Sequence, residues 1–203
     1  MERIRIHPES PQPRLITQVA DLLRRTNGIC IYPTDTVYGV GCAVSNNKMI
    51  KEIAHILHRD DDRLFSFLCS DISQVEEYAK LSTPAFKILK KYLPGPYTFI
   101  LPSSNFVRKK ISEKRKTVGI RIPNSPIVIE LIRQLGEPIA NISLNISGEH
   151  RGNPELFMTN EVLNGVDVMI DAGEIYDAGG STIVDLTEDE PVLVRQGLGE
   201  WYE

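Results

Sequence analysis

Small polar side chains follow an apolar run near the start of the chain, in the stretch IYPTDTVYGVG at residues 31–41. Pro33 ends the apolar run, because proline donates no backbone hydrogen bond and disfavours helix in the residue before it. Thr34, Asp35 and Thr36 come next, and their short side chains suit a simple turn. Hydroxyl groups placed before two glycines also suit a pocket for a small polar ligand. The sequence leaves both interpretations open.

Four later stretches carry side chains that could bind an anion. SLNISG contains Ser143 and Asn145, GIRIPNSP contains Arg121, GGSTIVDL contains Ser181, and LVRQG contains Arg195. Clusters of serine, asparagine and glycine are most often loops, so each stretch is weak evidence by itself. An arginine inside a strand either lies on the solvated face or turns inward, where it needs an anion from the protein or from a ligand.

A basic segment precedes GIRIPNSP. Six of the nine residues from 108 to 116 are basic, namely Arg108, Lys109, Lys110, Lys114, Arg115 and Lys116. Such a cluster is a candidate patch for RNA phosphates, and a solvated surface loop is the alternative. The sequence contains no P-loop, GxGxxG or HExxH pattern, and its histidines show no zinc-ligand spacing with its cysteines. We therefore predict no tightly bound metal.

Length and composition indicate a soluble globular protein of one large domain or two small ones. The chain has 203 residues, of which 41% are hydrophobic and 25% are charged. A formal charge of −4 argues against nucleic-acid binding by the whole surface and leaves room for a local basic patch. The three cysteines form no CxxC pair, which fits a reducing compartment. Without a signal-peptide core or an apolar run of membrane-spanning length, we predict a cytoplasmic protein with no membrane partner.

Strand-like and helical patterns alternate along the chain. Runs rich in β-branched and aromatic residues predict strands within residues 28–33, 64–70, 97–102, 117–123, 166–171, 181–186 and 191–196. Helical spacing of apolar residues, with proline and glycine at the ends, predicts helices within residues 15–25, 46–59, 83–95 and 125–136. The mixture predicts an α/β domain around a twisted mixed sheet. Residues 103–116 have no long apolar face and are expected on the surface.

Six short motifs give the chain a family resemblance. PTDTVYGVG, PGPYT, GIRIPNSP, SLNISG, STIVD and LVRQG occur in the order found in the YrdC-like threonylcarbamoyl-AMP synthase family. The resemblance runs from about residue 28 to residue 199, so we expect a single YrdC-like domain over residues 1–203. The stretches HRDDDRLFSFLCSD and EKRKTVGIRIP look most like the YciO branch. The resemblance implies a sheet with helices around a deep, positively lined cavity.

The resemblance also implies a reaction and its substrates. The family makes threonylcarbamoyl-adenylate from L-threonine, bicarbonate and ATP, with magnesium, and releases pyrophosphate. The product feeds threonylcarbamoylation of an adenosine in tRNA. By resemblance the chain therefore binds ATP or AMP, L-threonine and bicarbonate, with tRNA or double-stranded RNA as a further partner. The motifs identify no catalytic side chain.

The resemblance places the amino acid substrate among five residues. Thr34, Thr36 and Tyr38 resemble part of the floor of the threonine pocket. Arg121 resembles the cation for the threonine carboxylate, with Ser181 beside it. A guanidinium suits this role because it binds a planar carboxylate with two parallel hydrogen bonds.

The nucleotide side departs from the family pattern at one position. The family combines a Lys-x-Arg pair with a Ser-x-Asn pair, and Arg59, Ser143 and Asn145 match three of these four residues. Arg195 is a further candidate for the nucleotide. The lysine position falls on Leu57, which cannot offset phosphate charge and which completes the apolar stripe of its helix.

Three hypotheses follow from this combination. The chain is a synthase-like enzyme, an RNA-binding protein without synthase activity, or an enzyme that removes threonylcarbamoyl groups. Leu57 opposes the first hypothesis, whereas the threonine pocket favours it. Asp60, Asp61 and Asp62, which follow Arg59, either hold magnesium or form a solvated acidic loop.

Overall fold

A computed structural model describes residues 1–57, 65–111, 113–144, 152–176 and 179–202. Arg59, Asn145 and the three aspartates at 60–62 lie outside the described residues, so their predicted roles have no structural account here. The described residues form an α/β fold in which ten strands make one mixed sheet. This confirms the predicted fold class. Among these residues, no helix combines the length and apolar character needed to cross a membrane.

The sheet joins strands from both ends of the chain. Its strands are β1 (Glu2–Arg5), β2 (Cys30–Tyr32), β3 (Gly39–Ala43), β4 (Ser66–Leu68), β5 (Tyr97–Pro102), β6 (Thr117–Arg121), β7 (Ile139–Ser143), β8 (Val168–Asp171), β9 (Thr182–Asp185) and β10 (Val192–Arg195). Their order across the sheet is β1-β8-β2-β3-β7-β4-β6-β5-β9-β10. The sheet contains both parallel pairs, such as β4 with β6 and β5 with β9, and antiparallel pairs, such as β3 with β7.

Helices connect many of the strands. They are α1 (Pro13–Thr26), α2 (Asn47–Ile56), α3 (Ile72–Tyr78), α4 (Thr83–Tyr92), α5 (Asn105–Lys110), α6 (Pro126–Leu135) and α7 (Asn160–Gly165). Side-chain caps stabilise the first turn of several helices. At α4, Ser82 accepts a hydrogen bond from the backbone of Ala85, and at α6, Ser125 accepts one from Val128. The α6 helix ends where predicted, at Gly136, whose positive φ of 79° suits glycine.

One face of the sheet is covered by an apolar layer. Phe67, Phe99 and Ile120 point to this face, and each is fully buried. The helices α2, α3, α4, α5 and α7 all contribute side chains to the same cluster. Since burial of apolar area is the main favourable term in folding, this layer supplies most of the stabilisation.

The opposite face is apolar over only part of its area. Cys30, Tyr32, Leu68, Ile139 and Val168 pack there against α1 and α6. Beyond them, the central strands carry small or polar residues, which we call the polar face. Its members are Gly41, Asn141, Ser66 and Gly119, which are neighbours in register across β3, β7, β4 and β6, together with Arg121 and Thr98. A sheet face with such short side chains leaves room for a ligand.

The glycines of the PTDTVYGVG motif make room for side chains of the same sheet. A Cβ atom at Gly41 would overlap the backbone oxygen of Ala140 and lie 2.6 Å from the hydroxyl of Tyr32. A Cβ atom at Gly39 would overlap the amide of Asn141. These glycines therefore allow the side chains of Tyr32 and Asn141 to lie close to the backbone of β3.

The segment from residue 103 to residue 116 is less exposed than expected. It contains α5, in which Val107 is fully buried in the core beneath the helix. The ring of Phe106 meets that of Tyr78 edge-on, with 5.3 Å between their centroids. The expectation of a surface segment is therefore wrong for this helix, because one buried valine is too weak a pattern to reveal an apolar face.

We expect Gly41→Ala to lower the free energy of unfolding by about 1–3 kcal/mol, because the added methyl group meets backbone that cannot move aside. Gly119→Ala is the matched control, since its methyl group would stand 3.4 Å from its nearest neighbour, an ordinary contact. That variant should unfold at nearly the parental denaturant concentration. Equal midpoints for the two variants in urea would contradict this account of the motif.

Candidate ligand-binding site

Arg121 is the centre of the polar face. Strand alternation turns Ile120 into the apolar layer and Arg121 to the opposite side, where it is 2% exposed. Its Nη1 donates to the Thr36 hydroxyl at 2.9 Å, and its Nη2 donates to a carboxylate oxygen of Asp35. The protein itself therefore supplies an anion for this guanidinium, and Asp35 is a site residue that the sequence interpretation missed.

A tight turn holds Thr36 in place. The Thr34 hydroxyl accepts hydrogen bonds from the backbone of Thr36 at 3.2 Å and of Val37 at 3.3 Å. The same hydroxyl donates to the Val37 carbonyl at 2.6 Å, so Thr36 must donate across the 3.0 Å that separates the two hydroxyls. The turn that the sequence offered as one alternative is therefore present, and a ligand pocket at these threonines stays a prediction.

Two buried atoms of this ion pair have no hydrogen-bond partner among the described residues. They are Nε of Arg121 and Oδ2 of Asp35. An unpaired buried polar atom is costly, so such atoms usually meet water or a ligand. Arg121 therefore retains donor capacity beyond its contacts within the protein.

Ser181 and Arg195 lie beside this centre. The Ser181 hydroxyl is 2.9 Å from that of Thr98, and Arg195 donates to the Ser181 carbonyl through Nη2 at 2.7 Å and Nε at 3.2 Å. Partial burial lowers the pKa of Arg195, and the positive charge of Arg121 lowers it further. The two guanidiniums are therefore close enough to repel each other.

A backbone contact joins the two halves of the site. The amide of Gly179, just before Ser181, donates to the carbonyl of Thr36 at 3.3 Å. The structure thus brings Thr34, Thr36, Arg121, Ser181 and Arg195 to one side of the sheet, as the motifs implied.

Tyr38 is anchored elsewhere. Its ring is fully buried, and its hydroxyl donates to the Gly173 carbonyl at 2.7 Å and accepts from the Ala172 amide at 3.0 Å. Burial is the main reason that its pKa rises to about 12. The hydroxyl thus fixes the loop after β8, and a direct role in the threonine pocket stays a prediction.

A second hydrogen-bonded chain crosses the polar face. Tyr32 donates to the side-chain oxygen of Asn141 at 2.9 Å, and the Asn141 amide donates to the hydroxyl of Ser66 at 3.3 Å. The sequence interpretation missed all three residues. Strand alternation within FSFL and IANIS puts Ser66 and Asn141 on the face opposite the buried Phe67 and Ala140. Only the sheet register brings Ser66 and Asn141 together.

A cavity of about 440 Å³ adjoins the polar face. Ser66, Thr98 and Gly119 line it on the sheet side, and Lys114, Arg115 and Lys116 line another wall. It is of the size typical of small-molecule sites.

The basic segment is divided between two places. Arg115 donates to the Phe65 carbonyl at 2.8 Å, with its guanidinium 4.9 Å from the centre of the Phe67 ring. Lys114 and Lys116 are exposed and also border the cavity. The remaining members, Arg108, Lys109 and Lys110, belong to α5, where Arg108 and Lys109 are exposed. Binding of RNA by this segment stays a prediction.

The predicted nucleotide residues are only partly described. Ser143 ends β7, opposite Gly39, and is half-buried. Leu57 follows α2 and is half-buried against the apolar layer, so its side chain contributes to packing. Within the described ranges, no three acidic, histidine or cysteine side chains form a group that could hold a metal ion.

Comparison with known proteins agrees with this architecture. The family model for Sua5, YciO and YrdC proteins, described as telomere recombination, matches residues 22–197. The chain belongs to the Sua5/YciO/YrdC family. The resemblance inferred from the motifs is thereby confirmed.

Family members with solved structures share the fold. The YciO protein of Escherichia coli is 37% identical over 198 residues, covering 96% of this chain and 95% of the relative. Its crystal structure superposes with a TM-score of 0.86 over 98% of both chains. The crystal structure of P. abyssi Sua5 complexed with L-threonine is 31% identical, with a TM-score of 0.84 over 97% of this chain and 58% of that one.

A further relative carries a functional name. The threonylcarbamoyl-AMP synthase of Bacillus subtilis is 32% identical over 184 residues, which cover 90% of this chain and 53% of the relative. This chain therefore corresponds to about half of that synthase.

We expect Asp35→Ala to lower the free energy of unfolding by about 3–5 kcal/mol, because it leaves the Arg121 charge buried without its carboxylate. Arg121→Met combined with Asp35→Ala should cost less than the sum of the two single changes, which urea denaturation measures.

Asp21→Ala is the control for this double-mutant cycle. It breaks the ion pair with Arg24, in which the side chains are 65% and 48% exposed, and should cost less than about 1 kcal/mol. Additive effects of the Asp35 and Arg121 substitutions would show that the buried pair does not couple them.

Proposed function

We propose that the protein binds L-threonine and an adenine nucleotide on the polar face and acts as a threonylcarbamoyl-AMP synthase-like protein in tRNA threonylcarbamoyladenosine metabolism. The observation that carries the proposal is the charge balance around Ser181. Two guanidiniums, of Arg121 and Arg195, lie close enough to repel each other, while Asp35 is in contact with only one of them. A ligand anion placed there relieves this excess of positive charge.

The carboxylate of threonine fits the unused donor capacity. Arg121 has a buried Nε without a partner, and a guanidinium binds carboxylates through its fork of N–H groups. The hydroxyls of Ser181, Thr98 and Thr36 supply donors and acceptors for the amino and hydroxyl groups of the ligand. P. abyssi Sua5, which shares the fold, crystallised with L-threonine, and this supports the same ligand class here.

The nucleotide is placed next to the amino acid. The candidates for it are Arg195 at the end of β10 and Ser143 at the end of β7, and Arg59 and Asn145 occupy the matching motif positions in the sequence. Magnesium enters as part of the substrate, bound to the ATP phosphates, and bicarbonate supplies the carbamoyl carbon. The adenylate then serves modification of an adenosine in tRNA.

Leu57 limits the rate that we expect for this reaction. Its side chain packs against the apolar layer, so this position adds no positive charge to the phosphates. Gathering the negative charges of ATP in a cavity is unfavourable without enough cations. We therefore propose that adenylate synthesis is slow.

The same observation favours a second candidate, removal of the threonylcarbamoyl group. Hydrolysis of threonylcarbamoyladenosine consumes water, releases L-threonine and carbon dioxide, and leaves the free N6 amine. It uses the threonine-recognising residues and requires no triphosphate, so Leu57 does not hinder it.

The first test measures L-threonine binding by calorimetry in the parent and in Arg121→Lys. The lysine keeps a cation for Asp35 but loses the planar fork, so affinity should fall about tenfold. Arg133→Lys, on the exposed face of α6, is the control and should bind like the parent. Equal threonine affinity in all three proteins would remove Arg121 from the site.

The second test separates the two activities. Incubation with ATP, L-threonine, bicarbonate and magnesium, followed by mass detection of the adenylate and assay of pyrophosphate, should show synthesis slower than about 1 per second, a low rate for an enzyme. Incubation with threonylcarbamoyladenosine and with modified tRNA tests release of L-threonine. Fast synthesis would refute the role given to Leu57, and release without synthesis would favour the second candidate.

A further inference from the structure

The wall of the 440 Å³ cavity carries a row of positive charges. Lys114, Arg115 and Lys116 all line it, and none of the lining residues in the described part of the chain is acidic. Three neighbouring cations attract anions, because none of the described residues of the wall offsets their charge. The positive charges of the wall therefore favour an anionic ligand within the cavity.

The three cations differ in how they are held. The Arg115 guanidinium is hydrogen-bonded to the Phe65 carbonyl and lies over the Phe67 ring, so it is fixed to the protein. Lys114 lies in the turn before β6, and Lys116 directly precedes that strand; both are exposed. Both residues line the same cavity. These two ammonium groups can therefore act together on one ligand.

The rest of the lining suits an organic ligand with an anionic end. Ile100 and Ile183 offer apolar surface, while Ser66, Thr98 and Thr117 offer hydroxyl groups. Phosphate esters of a nucleoside combine both requirements, since the base buries apolar area and the phosphates meet the lysines.

We propose that Lys114 and Lys116 bind the phosphate groups of a nucleotide in this cavity, and so supply the positive charge that Leu57 does not. This inference rests on the proposed function, because it concerns the nucleotide of that same site. It reassigns two members of the basic segment from RNA phosphates to a small ligand. The size of the cavity supports the reassignment, because it admits a mononucleotide but not a duplex, whose phosphates lie on its outer surface.

The test compares Lys114→Gln combined with Lys116→Gln against the parent. Binding of ATP, AMP, adenosine and pyrophosphate is measured by calorimetry at low and at physiological salt. We expect ATP and pyrophosphate to bind about tenfold more weakly to the variant, while adenosine affinity stays unchanged, since only the phosphates meet the lysines. The salt dependence of ATP binding should also be smaller in the variant.

Arg108→Gln combined with Lys109→Gln is the matched control. It removes the same charge from the exposed surface of α5, and its nucleotide affinity should stay within about twofold of the parent, because surface charges at a distance are screened. An equal loss of ATP affinity in both double variants would show a general charge effect and overturn the proposal.

The remaining outcomes separate this proposal from the proposed function. Lysine-dependent pyrophosphate binding without any binding of ATP, AMP or adenosine would support the anion site and refute the nucleotide. Unchanged ATP and pyrophosphate affinity in the Lys114 and Lys116 variant would overturn the inference, whether or not L-threonine binds. A variant that loses affinity for a 16-base-pair RNA duplex and keeps its nucleotide affinity would likewise overturn it.

Discussion

The buried ion pair of Arg121 and Asp35 is the constraint around which the site is built. A guanidinium that is 2% exposed needs a nearby anion and hydrogen-bond acceptors, since its transfer from water is otherwise prohibitive. The loop after β2 folds back, so that Asp35 and Thr36 both hydrogen-bond to Arg121 at the end of β6. Proline ends the preceding strand, and Thr34 closes the turn with its own hydroxyl. A short sequence motif thus makes a contact with a strand that is distant from it along the chain.

The two faces of the sheet differ in how much apolar surface they bury. One face is covered by apolar side chains from five helices, which gives the domain a continuous core. The other is covered by α1 and α6 over one part and carries small or polar side chains over the rest. The free-energy cost of burying polar groups on this face is low because they hydrogen-bond to one another, as in the chain from Tyr32 through Asn141 to Ser66. Glycines in β3 let these larger side chains lie flat against the sheet.

Local sequence patterns predicted the strands and helices whose own residues show a clear pattern. The strands β2, β4, β5, β6, β8, β9 and β10 fall within runs of β-branched and aromatic residues, and α1, α2, α4 and α6 have clear apolar stripes. Gly39 and Gly41 weaken the pattern of β3, and β7 escaped prediction because its run is short and contains Asn141. The short helices α3, α5 and α7 each bury too few residues to show a period.

The site was predictable only where a motif names it. Thr36, Arg121, Ser181 and Arg195 were predicted from the motifs that contain them, and the structure brings them together, while their roles toward a ligand stay predictions. The partner of the arginine was not found, because Asp35 in a turn is commonplace and its contact joins residues 86 positions apart. Ser66 and Asn141 depend on sheet register, which the sequence does not specify without the pairing of β4 with β7.

Arg195, a candidate for binding an anion, lies at the edge of the sheet. This residue ends β10, the outermost strand, whose four residues are all exposed and whose pairing with β9 is irregular between Leu193 and Arg195. An edge strand with so little buried surface can detach while the core stays folded. The anion proposed to bind Arg195 would therefore also hold β10 on the sheet, so that occupancy of the proposed site and fraying of the sheet edge would be opposed parts of one equilibrium.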